Sequence, residues 1–339
     1  MRNRKLASPA ESPAARITRE ILARLEAGIK PWIKPWRGVA VSRPLRACGT
    51  AYRGMNVFWL WMVADLCGFG SPFWMTYRKA NELGGQVRKG EKATIAIFYK
   101  SYSKEVAVPD TGETSEEARR VLKAYPVFNA DQVEGLPARF HPAAELELVE
   151  PEGRKAELDA LFAAVPAALR HQGDQAYYEP GADRITMPPA QLFSGFDHYY
   201  GTLAHELSHW TGHASRLDRD LNHRFGTAAY GAEELVAELS SAMLGAELGL
   251  PVAHLDHHAS YIDHWIKLLR DDDRAILTAA AKAEEASELL LRLGDRARPA
   301  EQDKSDERGA AALAAWGGRD GTLGQLSVRK HRCLHRARG

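Results

Sequence analysis

At residues 205–209 the chain reads His-Glu-x-x-His, the spacing in it that carries the most specific chemistry. Two histidines four apart lie on one face of an α-helix, so His205 and His209 can grip one metal ion. Glu206 projects beside that ion and is the residue type that takes a proton from a water the ion activates. A catalytic site of this kind uses three protein ligands and leaves one position open. A third histidine six residues past the second would complete one version of the site, but that position is Ser215. His213 could ligate if the helix ran on, yet Gly212 weakens the helix there. The segment AEELVAELSSAMLG offers more, because its Glu234 and Glu238 are four apart and share a helical face. Glu234 is assigned as the third ligand and Glu238 as the carboxylate that orients a ligating histidine. Glu233 stands second for the ligand role, since one residue of helical misalignment exchanges the two. Two histidines and a glutamate suit Zn²⁺, with Mn²⁺ or Co²⁺ as substitutes.

The elements that must position these residues are legible around them. A hairpin is expected from QAYYE, a turn at Pro180–Gly181, and DRITMP. Helices are expected over 154–170, 197–213, 230–249 and 259–294. Tyr177 and Tyr178 sit on the hairpin, where a strand could pair with a peptide or simply pack. Arg216 and Asp218 suit either an ion pair with each other or a contact with substrate. In the first half, helices are expected from Ile17 to Gly28, over 56–67 and over 76–83. A strand is expected over 93–99, a polar acidic loop over 102–120, and a strand and turn over 125–137. The Pro- and Glu-rich stretch 138–153 reads as a linker. The fold class is therefore α+β: an N-terminal α+β domain (14–137), then a mostly helical domain with a small β-sheet (154–295), with 296–339 as a flexible basic tail.

The net charge of +1 hides an asymmetry. Residues 1–105 hold 19 Lys/Arg against 7 Asp/Glu, whereas 106–316 hold 20 against 36. A basic first third points to a polyanion. Five of the eight tryptophans fall in that third. Trp59 and Trp61 lie in an apolar run and read as core. Trp32 and Trp36 alternate with Lys30, Lys34 and Arg37 in the Pro-rich stretch PWIKPW, an extended loop that could stack bases and neutralise phosphates. Tyr52, Arg53 and Asn56 add to this set, as do Trp74, Tyr77, Arg78 and Lys79. Arg88, Lys89 and Lys92 flank Gly90, where a tight turn could aim amides at phosphate. A small domain with aromatic anchors and a basic surface fits the same residues.

No stretch approaches the ~20 apolar residues of a membrane span, and no apolar segment follows the basic N-terminus, so neither a membrane nor a secretory route is expected. Cys48, Cys67 and Cys333 are too few and too scattered for a disulfide framework. A cytoplasmic protein is the expectation.

The stretches GIKPWIKPWRG, TAYRGMNVFWLW, SPFWMTYRKANELGGQVRKGEKATIAIFYK, VFNADQVEGLP, YYEPGADRITMPP, LAHELSHWTGHASRLDRDL, YGAEELVAELSSAMLGAELG and YIDHWIKLLRDD together resemble the ArdC-type antirestriction proteins of conjugative plasmids. They also resemble the N-terminal part of related plasmid primases. The resemblance runs over residues 14–290 and stops before the tail from 317. It implies an N-terminal domain that binds single-stranded DNA, a zincin-like metallopeptidase domain, and a role in shielding incoming DNA from host restriction endonucleases. The implied partners are single-stranded DNA, with double-stranded DNA as a variant, and a host restriction endonuclease or another host protein. Two rival readings stay open: a DNA-sheathing protein whose metal is structural or serves recognition, and a metallopeptidase of a host protein that uses DNA for targeting.

Overall fold

The computed structural model of the 339-residue chain describes residues 11–32, 43–107, 114–141, 151–250 and 259–294. The expected tail (296–339) lies outside these residues, as do Lys34, Trp36 and Arg37. No helix among the described residues is long and apolar enough to cross a membrane.

The chain opens with α1 (Pro13–Glu26), capped by the Ser12 hydroxyl, which accepts from the Ala15 amide. Its stripe of Ile17, Ile21 and Leu25 is buried. Strand β1 (Leu45–Arg46) leads to α2 (Met55–Cys67), which is apolar on nearly every side and is therefore a core helix. Then come β2 (Phe73–Met75), α3 (Tyr77–Glu82), β3 (Gln86–Val87), β4 (Thr94–Ala107), β5 (Thr114–Asn129) and β6 (Val133–Glu134). The order β1-β2-β5-β4 makes one sheet, and β3 pairs with β6 in a second. The expected acidic loop at 102–120 is mostly strand, because β4 and β5 stay paired out to Ala107 and Thr114. Cross-strand hydrogen bonding decides this, and it leaves no trace in local composition.

The second half follows as α4 (Pro151–Ala163), β7 (Ala168–His171), β8 (Tyr177–Glu179), β9 (Arg184–Met187), α5 (Phe196–Thr211), α6 (Asn222–Phe225), α7 (Ala229–Leu248), α8 (Ala259–Asp271) and α9 (Ala275–Leu293). The helix expected over 154–170 stops at Ala163, before Pro166, and its end becomes β7. The single stretch expected over 259–294 breaks at 272–274 into α8 and α9. The three-stranded sheet has the order β7-β9-β8, parallel on one side of β9 and antiparallel on the other.

α7 runs through the centre of the molecule. Sixteen of its twenty residues are buried, and it packs on α5, α8 and α9. Gly249 ends it in the left-handed region at φ 65°, a conformation glycine adopts without penalty. The main apolar cluster draws on both halves of the chain, joining Trp32, Phe58 and Trp74 to Leu235, Leu239, Trp265 and Ala280. Part of the expected linker is also anchored: Ala138–Phe140 forms a 3₁₀ turn with Phe140 fully buried, while 142–150 lies outside the described residues.

Candidate metal centre

α5 presents one face to a second apolar cluster, where Leu203, Leu207 and Trp210 pack with Ile185 and Met187 of β9. Each such side chain contributes about 1.5–3 kcal/mol by leaving water. This packing fixes the rotation of α5 and sets His205 and His209 toward α7. Their Nε2 atoms lie 3.2 Å apart. Glu234 of α7 places one oxygen 3.6 Å from His205 Nε2 and the other 3.6 Å from His209 Nε2. Two ligand atoms at ~2.1 Å from one tetrahedral ion stand ~3.4 Å apart, so this donor triangle has the size a single divalent ion needs. His205, His209 and Glu234 are the one such trio among the described residues. Glu206 is buried beside them and its charge acts on His209.

Glu233, not Glu238, is the carboxylate that meets a histidine of the trio on its far side. Its Oε1 is 3.3 Å from His209 Nδ1, so the Nδ1–H donates there and Nε2 is left free to bind an ion. Burial works against a charged His209, but Glu233, Glu234 and Glu206 outweigh it and raise its pKa. Burial likewise opposes the Glu233 charge. The Arg219 guanidinium and His209 overcome this and hold its carboxyl down at about 2. Arg219 Nε donates to Glu233 at 2.7 Å, and the same guanidinium donates to the Ser208 carbonyl and the Thr211 hydroxyl. One arginine thus steadies Glu233 and caps α5. Gly212 makes room for it, because a Cβ there would stand 2.8 Å from the guanidinium.

The assignment of Glu238 as a histidine-orienting group is therefore corrected. Its Oε1 accepts from Lys30 Nζ at 3.0 Å and from Trp32 Nε1 at 3.2 Å, one turn beyond Glu234. Of the two roles left open for Arg216, the structure shows an ion pair, made with Asp183 at 2.5 Å, and the guanidinium lies 3.8 Å from the Trp210 ring centroid. His213 is turned away on Ser215.

Several residues expected to contact DNA are inside the protein. Trp32 is 2% exposed and meets Trp265 edge-on at 5.6 Å, so neither ring face is open to a base. Trp74 and Tyr52 are each 2% exposed. Asn56 is buried and bonds both the amide and the carbonyl of Ile97, fastening α2 to β4. Arg53 is exposed but reaches across to Glu288 of α9 at 2.6 Å. Among the described residues, the other expected contacts share one exposed neighbourhood. Tyr77 and Lys79 lie on α3, and the Tyr77 hydroxyl accepts from Gln86 Nε2 at 3.1 Å. From Gln86 the chain runs directly into Arg88, Lys89 and Lys92 around Gly90, whose φ of 91° makes the turn.

Sequence reasoning missed Arg219, which left no signal because its partners come from two helices.

Two histidines one turn apart on α5, a glutamate from α7 and an acid between the histidines, set beside a small three-stranded sheet, define a zincin-like domain. Residues 156–282 match the family model described as zincin-like metallopeptidase. Residues 11–128 match the N-terminal domain of anti-restriction factor ArdC, and the chain belongs to the ArdC antirestriction family. The metal-free crystal structure of antirestriction protein ArdC from plasmid R388 is 43% identical with a TM-score of 0.71, covering 85% of this chain and 100% of that one. Its Mn(II)-bound structure is 42% identical with a TM-score of 0.67, covering 84% and 98%. Uncharacterized protein y4eC of Sinorhizobium fredii is 39% identical over 87% of this chain and 95% of its own length. DNA primase TraC of Escherichia coli is 40% identical over 72% of this chain, which spans 23% of the primase.

Proposed function

We propose that this protein binds single-stranded DNA without sequence preference and protects incoming plasmid DNA from host restriction endonucleases, and that it carries a Zn²⁺-type peptidase centre on His205, His209 and Glu234. The observation that carries the reading is the donor trio of α5 and α7 in a chain whose first third matches the ArdC N-terminal domain. An ion held there would polarise a carbonyl and make a nearby water more acidic. Glu206 accepts the proton from that water and can return it to a leaving amine. Glu233 and Arg219 keep His209 in the tautomer and orientation that direct Nε2 at the ion. Mn²⁺ and Co²⁺ fit the same donors, and the R388 relative is known in a Mn(II)-bound form.

For DNA, the surface around Tyr77, Lys79, Arg88, Lys89 and Lys92 replaces the buried tryptophans as the contact. It offers an exposed ring for stacking and cations for phosphate.

Restriction of an entering plasmid, scored in cells at matched protein levels, tests the two halves of the proposal. Lys89→Ala/Lys92→Ala is expected to weaken DNA binding and to reduce protection with it. Glu206→Ala is expected to lose protection while still binding metal and single-stranded DNA. If Glu206→Ala protects fully, covering the DNA is the whole function.

A further inference from the structure

β4 and β5 pair with Tyr99 directly opposite Leu122. Opposite residues share one side of the ladder, and so does every second residue along a strand. Tyr99, Leu122, Ala124, Pro126 and Phe128 therefore line one face. At its inner end this face carries a second tyrosine, because the Tyr77 ring of α3 meets the Phe128 ring edge-on at 6.4 Å. Tyr77 is 47% exposed and Tyr99 is 56% exposed, so each ring is open to a ligand. Ala124 and Pro126 between them are exposed and small, which leaves a low floor between two standing rings. From Leu122 to Phe128 the strand advances roughly 20 Å. The adjoining edge of β4 is closed to a further strand. Asn56 bonds the amide and the carbonyl of Ile97, and Trp59 Nε1 donates to the Ile95 carbonyl. A ligand that uses this region meets the face and its rings, not the backbone at those two residues.

We propose that Tyr99 is a second stacking post for unpaired bases, paired with Tyr77 across this face, and that the two posts make the site select single strands over duplex. The proposal rests on the DNA reading given above and adds Tyr99 to it. The occupant is set by charge. Lys89 and Lys92 are exposed at the Tyr77 end, where Gln86 Nε2 ties Tyr77 to the strand that enters the Gly90 turn, and exposed Lys100 follows Tyr99. A polyanion held by cations at both ends passes its bases over the rings between them. Every unpaired base has an open face, so stacking on tyrosine tolerates any sequence. In a duplex those faces are covered by neighbouring base pairs, and unstacking a step costs free energy. Neither tyrosine gains from a duplex.

The test uses the full chain and fluorescence anisotropy with two probes: an oligothymidylate of about 12 nucleotides, within the range one small binding fold covers, and a duplex of the same length. Tyr99→Ala is expected to weaken the single strand about tenfold and to leave the duplex within about twofold. The salt slope is expected to stay unchanged, because no cation is removed. Tyr99→Trp is expected to bind the single strand at least as tightly as wild type. Equal single-strand affinity in wild type and Tyr99→Ala overturns the proposal. So does an equal loss for single strand and duplex, or a Tyr99→Trp chain as weak as Tyr99→Ala. In each of these cases, weakened binding in Lys89→Ala/Lys92→Ala leaves the DNA reading standing. A wild-type chain that binds no single strand overturns that reading and this proposal with it.

Discussion

The candidate metal centre and the basic turn of the N-terminal region handle charge in opposite ways. Around His209, the Arg219 side chain is 1% exposed and each of its contacts is made. A buried charge without a partner costs several kcal/mol, and Arg219 and Glu233 hold each other. Around α3 and the Gly90 turn the cations are on the surface. Arg78 and Lys79 meet Glu82, and Arg88 meets Glu91, all within one turn of chain. Such pairs are worth about 0.3–0.5 kcal/mol and yield to salt. The first region therefore depends on a few atoms that must not move. The second depends on a field that many residues share and that a polyanion can take over from weak internal partners.

Trp32 stands between the two and gives the largest expected effect. Trp32→Ala removes a buried ring and one of the two donors to Glu238. A loss of about 3–5 kcal/mol in unfolding free energy is expected, read by chemical denaturation. DNA binding by the fraction that stays folded is expected to be unchanged. A variant of full stability with tenfold weaker DNA affinity would move Trp32 onto the DNA surface and break the contrast.

The metal side is sharpened by Glu234→Ala, which removes one of three donors. Affinity for Zn²⁺ or Mn²⁺ is expected to fall at least about 100-fold by calorimetry, beyond the 10- to 100-fold typical of losing a group that only orients a ligand. Glu233→Gln belongs in that lower range. Glu206→Ala is expected to stay within a few-fold of wild type. Equal losses in Glu233→Gln and Glu234→Ala would mean that the two acids share the ligand role.

The same division explains what could be read before the structure. His205, His209 and Glu234 were legible because the requirement is periodic: a residue four along a helix is on the same face whatever surrounds it. Whether Glu233 or Glu238 serves His209 was not legible, because both are one helical step from a plausible answer. The rotation of α7 against α5 decides between them. For the tryptophans, residue type says that a ring can stack but not that it is exposed. Trp32 is covered by helices from the far half of the chain, meeting Trp265 of α8 and Glu238 of α7, which composition in the first third cannot report. The β4–β5 pairing beyond Tyr99 is likewise a property of two strands together.

On the DNA side, Lys89→Ala/Lys92→Ala is expected to leave unfolding unchanged within about 0.5 kcal/mol. The slope of log affinity for single-stranded DNA against log salt is expected to flatten by about 0.7 per lysine, near 1.4 in all. Unchanged slope would place the DNA elsewhere, and a loss confined to one sequence would contradict a contact made through phosphates.

A partly exposed pair should fall between the two regimes, and Asp183 provides it. The Arg216 guanidinium, with help from the Tyr178 hydroxyl and against the cost of burial, holds the Asp183 carboxyl down at about 2 from an ordinary value of 3.8. Because the folded value is the lower one, the pair stabilises the fold fully above about pH 4. That stabilisation fades as the pH falls through about 2. The Asp183 side chain is 38% exposed, so solvent screens the pair and its contribution is about 1 kcal/mol or less. Asp183→Asn isolates this effect cleanly. The backbone at 183 has φ 47°, a region asparagine tolerates as well as aspartate does, so the change removes charge without adding strain. Wild type is expected to lose up to about 1 kcal/mol more than Asp183→Asn between pH 4 and pH 2, followed by denaturant midpoints. A difference of 3 kcal/mol would put this pair with the buried charges around Arg219, and no difference at all would put it with the surface pairs of α3.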